Sequence, residues 1–243
     1  MSHQNSTISV NTIEPQSGTT LTIGQSGQNV VVNADSIKNN VLKDAGGNAL
    51  WTSNGSGVLS GLNAGFGSAQ VLILSQTATD QASVSFTSGI DSTYKEYVFE
   101  FININPATSQ PMFTFQVNAV GGSGFDETIT STYFYAYHAE NNAAAALAYE
   151  AGRDQAQGTA YQIIAGDIGN GADENCVGEL HLFNPSSTTY IKNFYSRTNV
   201  HTNAYSVDSY VGGYINTTSA IDEISFAMSS GNFDGVIKMY GIK

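Results

Sequence analysis

Apolar and polar residues alternate at period two along most of the chain, the spacing of β-strands whose two faces meet different surroundings. Tyr97, Phe99 and Phe101 fall on one face of a run ending at Ile104, while Val98, Ile102 and Ile104 fall on the other, so both faces are mostly apolar. Such a strand needs cover on both sides, from a second sheet and from a loop or another subunit. In Met112–Val120, Phe113, Phe115, Val117 and Ala119 alternate with Met112, Thr114, Gln116 and Asn118, which predicts a strand with one wet face. Asn105–Pro111 lies between the two runs; its prolines fix φ and remove ladder donors, and the pair reads as a hairpin. Further strands are predicted at Ala69–Leu74, Ser83–Phe86, Ile129–His138, Tyr161–Ile164, Glu179–Phe183, Tyr190–Tyr195 and Tyr210–Ile215. A second hairpin joins Ile221–Met228 to Val236–Ile242 through Ser229–Gly235. Ala143–Glu150 departs from the pattern: its alanine run favours a short surface helix stopped by Gly152, although Leu147–Tyr149 can be drawn into a sheet by tertiary context. Many short strands, polar turns and no alternating helices predict an all-β fold, a jelly-roll-like β-sandwich over residues 68–243.

The first 67 residues have a different texture. Short β-like runs at Thr7–Val10, Thr19–Ile23, Asn29–Val32, Ala49–Thr52 and Gly57–Leu59 are separated by turn residues, and Trp51 and Phe66 are the only large aromatic residues. So few bulky groups bury little surface alone. Residues 1–67 are therefore expected to form an attachment or oligomerisation segment that folds against copies of itself or a partner; the plainer reading is an extended arm on the main domain.

Composition narrows the function. The formal net charge is −12, and the eight basic residues are scattered, whereas nucleic-acid binding needs clustered Lys and Arg to displace counterions. No nucleic acid is expected as a partner. The single cysteine, Cys176, makes neither an internal disulfide nor a thiolate zinc cluster. No apolar run reaches the length of a membrane-spanning helix and the amino-terminal residues lack a secretory pattern, so the expectation is a protein made and kept soluble, without membrane insertion.

No catalytic signature is present. The histidines lack H-E-x-x-H spacing, no serine sits in G-x-S-x-G, and Gly61–Gly67 and Gly121–Gly124 are not phosphate-binding loops. The acid pairs Asp126-Glu127, Asp173-Glu174 and Asp222-Glu223 read as solvated turns, because glycosidase carboxylates converge on one substrate from different strands. No cofactor is expected. One candidate calcium loop holds Asp167, Asn170, Asp173 and Glu174, although Gly169 stands where an EF-hand needs Asp or Asn. Tyrosine is in excess: Tyr133, Tyr135 and Tyr137 share a face, and Tyr195, Tyr205, Tyr210 and Tyr214 come late. Tyr133, Tyr135, Tyr137, Tyr205, Tyr210 and Tyr214 are candidates for sugar stacking if exposed, and for a core or subunit seam if buried.

Three stretches, Thr87–Thr108 (TSGIDSTYKEYVFEFININPAT), Gly178–Thr198 (GELHLFNPSSTTYIKNFYSRT) and Gly213–Lys243, resemble the C-terminal domain of structural proteins from marine bacteriophages, of the tail-fibre or capsid-fibre type. The likeness covers most of Ser75–Lys243, and Thr12–Val32 is similar to the attachment segments that precede such domains. The resemblance implies a homotrimer docked on other virion proteins through its amino-terminal part, with a β-sandwich head presented on the virion exterior for attachment to a host-surface glycan or protein. It implies no catalytic residues. The other expectations are a purely structural capsid decoration or tail adaptor without a receptor role and, from another class, a polysaccharide-degrading spike.

Overall fold

A computed structural model describes residues 41–44, 46–53, 56, 59–62 and 69–243. The runs expected at Thr7–Val10, Thr19–Ile23 and Asn29–Val32 lie outside the described residues, as does most of the proposed docking segment. The chain divides into two units, Met1–Asn63 and Ala64–Lys243. In the first, β1 (Val41–Lys43), β2 (Ala49–Ser53) and β3 (Leu59–Leu62) form an antiparallel sheet in that order. The β1–β2 turn is held by Asp44, whose side chain accepts from the Asn48 backbone N–H at 2.8 Å.

The second unit is an all-β sandwich. Its strands are β4 (Gln70–Gln81), β5 (Ser83–Phe86), β6 (Glu96–Pro106), β7 (Phe113–Ala119), β8 (Ile129–Ala139), β9 (Ala145–Tyr149), β10 (Gln162–Ala165), β11 (Cys176–Phe183), β12 (Lys192–Thr202), β13 (Tyr205–Ile215), β14 (Ile221–Met228) and β15 (Phe233–Ile242). The small sheet has the order β10-β7-β14-β5, and the large one β4-β15-β6-β11-β12-β13-β8-β9. With β8, β9, β12 and β13 set aside, the remaining eight strands, counted along the chain, lie as 1-8-3-6 against 2-7-4-5. That is the jelly-roll wrapping. The four inserted strands widen the large sheet beyond the edge of β11.

The two expected hairpins are corrected by this topology. β6 and β7 belong to opposite sheets, and so do β14 and β15. Each connection is an arch across the sandwich, which suits strands that carry aromatic residues toward a shared centre. Phe226 from β14 sits at that centre, with the rings of Phe101, Phe99, Phe113 and Phe86 at 5.2, 5.4, 6.0 and 6.3 Å. The adjacent-strand hairpins are β8–β9, β11–β12 and β12–β13. The last turns on Asn203 and Ala204, with φ of 45° and 64°. Positive φ at both central residues is the geometry whose twist matches the flanking strands.

Three further expectations change. Ala145–Tyr149 is an edge strand rather than part of a helix. The turn at Asn142 (φ 60°) sends the chain back along β8, whose open edge offers backbone partners that outweigh alanine's modest propensity. Ile104 points into the core with Phe101, because a bulge at Asn103 (φ 52°) resets the alternation of β6. On the outward face of β6, Val98 is flanked by its cross-strand neighbours Tyr240 and His181 within the sheet. Finally, the polar face of β7 is dry. Gln116 is fully buried, and its Nε2 donates to the carbonyls of Glu127, Thr159 and Ala160 at 2.9, 3.1 and 3.2 Å. Loops cover the side that composition alone assigns to water.

Candidate functional site on the outer face of the large sheet

The inserted strands put side chains on a sheet face that the core does not use. On β12 the even residues Phe194, Ser196, Thr198 and Val200 are buried, so Tyr195, Arg197 and Asn199 point outward. Register then lines up one row across all eight strands: Ser75, Lys238, Glu100, Glu179, Arg197, Tyr210, Phe134 and Tyr149. After Ser75 the row has four ionic residues followed by three aromatic ones. In the next row His181, Tyr195, Gly212 and Thr132 are neighbours.

Hydrogen bonds hold these groups in place. Arg197 donates from Nε and Nη2 to the two oxygens of Asp208 at 3.2 and 2.8 Å, and its guanidinium lies 5.2 Å from the centre of the Tyr210 ring. The Tyr210 hydroxyl donates to Asp208 at 2.9 Å. The Asp208 hydrogen bond, ahead of its charge, pushes both the Arg197 and the Tyr210 pKa upward. Tyr210 stacks on Phe134 at 5.0 Å with the planes 6° apart. Tyr195 stacks on His181 at 4.4 Å, and His181 shares a hydrogen bond between Nδ1 and Glu96 at 2.6 Å. Burial against these neighbours, and then the carboxylates of Glu96 and Glu179, push the Tyr195 phenol up.

Two open hollows adjoin on this face and share Glu179 and Arg197. One, of about 400 Å³, is lined by Glu100, Asn199 and Asp208 among others. The second, of about 360 Å³, lies between Tyr195, Tyr210, Phe134 and Thr132 over Gly212. Both are of the size that accepts small ligands.

The tyrosine candidates separate. Tyr210 and Tyr214 lie on the outer face, whereas Tyr133, Tyr135, Tyr137 and Tyr205 form a ladder on the inner face, with successive centroids 6.3, 6.1 and 6.0 Å apart. Tyr133 is fully buried with its hydroxyl 2.8 Å from Ser209, and Arg153 lies 5.5 and 5.7 Å from the Tyr133 and Tyr135 ring centres. Those four of the six candidates cover the overhanging inner face of the large sheet.

The residues of the proposed calcium loop are engaged individually. Asp167 pairs with Arg153. Glu174 accepts from the backbone of Gly171 at 2.8 Å and Asn203 at 2.6 Å, which lowers its pKa and ties the loop to the β12–β13 turn. Asn170 reaches the Ala107 carbonyl at 3.5 Å. Asp173 and Glu174 line a polar hollow of about 280 Å³ with Asn103, Asn105, Asn175 and Asp234. Among the described residues, no group of three or more His, Cys, Asp or Glu is placed to hold a metal.

Arg197, Asp208, Phe134, Glu179 and Gly212 are absent from the sequence-derived candidates. Their signal is the alternation of β12 carried past Tyr195, which small inward residues such as Ser196 and Thr198 conceal. No known family, curated protein or solved structure matches this chain.

Proposed function

We propose that this chain is a non-enzymatic component of a bacteriophage virion, a trimeric fibre or spike whose amino-terminal segment docks on the particle and whose sandwich head meets the host surface. The observation that carries the recognition role is the outer face of the large sheet, where aromatic rings stand beside carboxylates and an arginine over two open hollows. The virion setting rests on the resemblance of Thr87–Thr108, Gly178–Thr198 and Gly213–Lys243 to phage structural proteins. Weak contacts from several heads would add up through avidity, so an open surface suffices.

Light scattering on the full-length protein, together with electron microscopy of virions labelled by antibodies against the chain, tests this reading. A trimer and labelled particle exteriors are expected. A monomer, or unlabelled particles, overturns it.

The polysaccharide-degrading alternative gains one observation: Glu100 and Glu179 are directly opposed across β6 and β11 and line the same hollow. Acid–base pairs work when their environments differ. Here each carboxylate has a basic cross-strand neighbour on its other side, Lys238 or Arg197, so the row is a symmetric charge ladder. Incubation with polysaccharides is expected to release no reducing ends.

A further inference from the structure

Glycine inside a strand weakens it, because it brings no side chain to pack and loses the most backbone freedom on folding. Four of the five strand glycines in the sandwich have a steric reason. A Cβ would stand 2.3 Å from the Arg197 carbonyl oxygen at Gly178, 2.4 Å from the Thr130 carbonyl oxygen at Gly213, 2.7 Å from Ile104 Cδ1 at Gly235 and 2.3 Å from the Tyr94 ring at Gly241. Gly212 is different: a Cβ there would meet nothing nearer than Thr132 Oγ1 at 4.0 Å, and its φ lies outside the left-handed region. Neither the backbone nor the packing asks for glycine at 212. What the missing side chain preserves is the open floor of the 360 Å³ hollow.

The walls define what could lie there. Tyr195 and Phe134 are 45% and 41% exposed although each is backed by another ring, so each keeps a free surface while a stacking partner supports it. An anionic ligand is disfavoured by Glu179 in the wall, by Glu100 in the adjoining hollow and by a net charge of −12, while the Arg197–Asp208 pair neutralises itself. Supported ring faces next to oxygen acceptors suit a neutral molecule with both C–H faces and hydroxyl groups.

We propose that the hollow over Gly212 binds a pyranose ring of a neutral glycan, its C–H face against Tyr195 or Phe134 and its hydroxyls donating to Glu179 and Thr132. This rests on the reading of the head as a recognition surface, and it names the ligand class and the site.

The test is saturation-transfer NMR and calorimetry on the full-length protein with maltohexaose, cellohexaose and mannohexaose as neutral probes. Polygalacturonate and chitosan hexamer serve as the anionic and cationic ones. At least one neutral probe is expected to bind, with transfer strongest at ring C–H protons. Gly212→Leu, whose Cβ has room and whose branched end enters the floor, is expected to abolish binding, and Tyr195→Ala to weaken it about tenfold. Tyr190→Ala, an exposed tyrosine outside the hollow, is expected to leave binding unchanged. Failure of all neutral probes, preference for a charged probe, or unchanged binding in Gly212→Leu overturns the proposal. Light scattering on each variant separates this from the reading above. A trimer without sugar binding sinks the site alone, and a monomer that binds sugar sinks the fibre alone. Dissociation of a trimer by Gly212→Leu would make the hollow a subunit seam and also overturn it.

Discussion

Two single residues bear on stability in ways that can be tested. Cys176 is fully buried, and burial pushes its thiol up from 9.0 to about 12. A folded-state pKa above the unfolded one means stability that is whole below pH 9 and lost as pH rises toward 12, a loss on the order of 4 kcal/mol at its limit. In urea melts at pH 7 and pH 10.5 the native protein is expected to lose more stability than Cys176→Ala, and a thiol reagent should label the native chain only on unfolding. Equal alkaline losses would show that the thiol is not the cause. Ala204 holds φ at 64° in the β12–β13 turn, where a Cβ crowds the following carbonyl. Ala204→Gly relieves that crowding at some cost in chain entropy, so a net gain of about 0.5–1 kcal/mol in a urea melt is expected. A destabilised variant would show that the turn bears no strain.

At the scale of elements, strand positions were legible and strand partners were not. The period-two pattern located β5, β7, β8 and β14 to within a residue or two, because alternation is a property of the strand itself. Whether consecutive strands pair or cross the sandwich depends on which surfaces they complete. A six-residue loop between β6 and β7 is compatible with either, and two aromatic-faced strands gain more by packing face to face than edge to edge. The strand β9 shows the converse, an unfilled edge overriding local propensity. For β7 the polar side chains were legible and their burial was not, since the cover comes from distant loops at Glu127 and Thr159–Ala160. Gln116→Ala takes the side-chain donor from the Glu127 and Thr159 carbonyls, while the Ala160 carbonyl keeps Gln155 Nε2 at 2.9 Å, and is expected to cost about 1–3 kcal/mol. Gln81→Ala, at an exposed position of β4, should stay within about 0.5 kcal/mol. Similar values for the two variants would mean that water reaches the face of β7.

For the whole molecule, the candidate site assembles from four strands spread between Thr132 and Gly212, and no local motif announces such a site. Tyr210 could be picked from the sequence by residue type, but its separation from Tyr133 follows from the pleat and the register of β8 against β13. Net charge, by contrast, is a property of the molecule that the sequence states outright: 20 acidic against 8 basic residues. Among the described residues, arginine makes two ion pairs, Arg153–Asp167 and Arg197–Asp208, so most of the acidic excess has no countercharge within reach. Compact folding brings those carboxylates closer together than they are in the unfolded chain, and the repulsion opposes the folded state. Salt shortens the screening length from about 30 Å at 0.01 M to about 8 Å at 0.15 M, which weakens repulsion between dispersed surface charges more than attraction within a contact pair. The melting temperature at pH 7 is therefore expected to rise as sodium chloride increases over that range. The size of the rise should shrink at pH 5, where the first carboxylates begin to take up protons. A fall in melting temperature with salt would mean that attractive pairs, not the net charge, dominate the electrostatics of this fold.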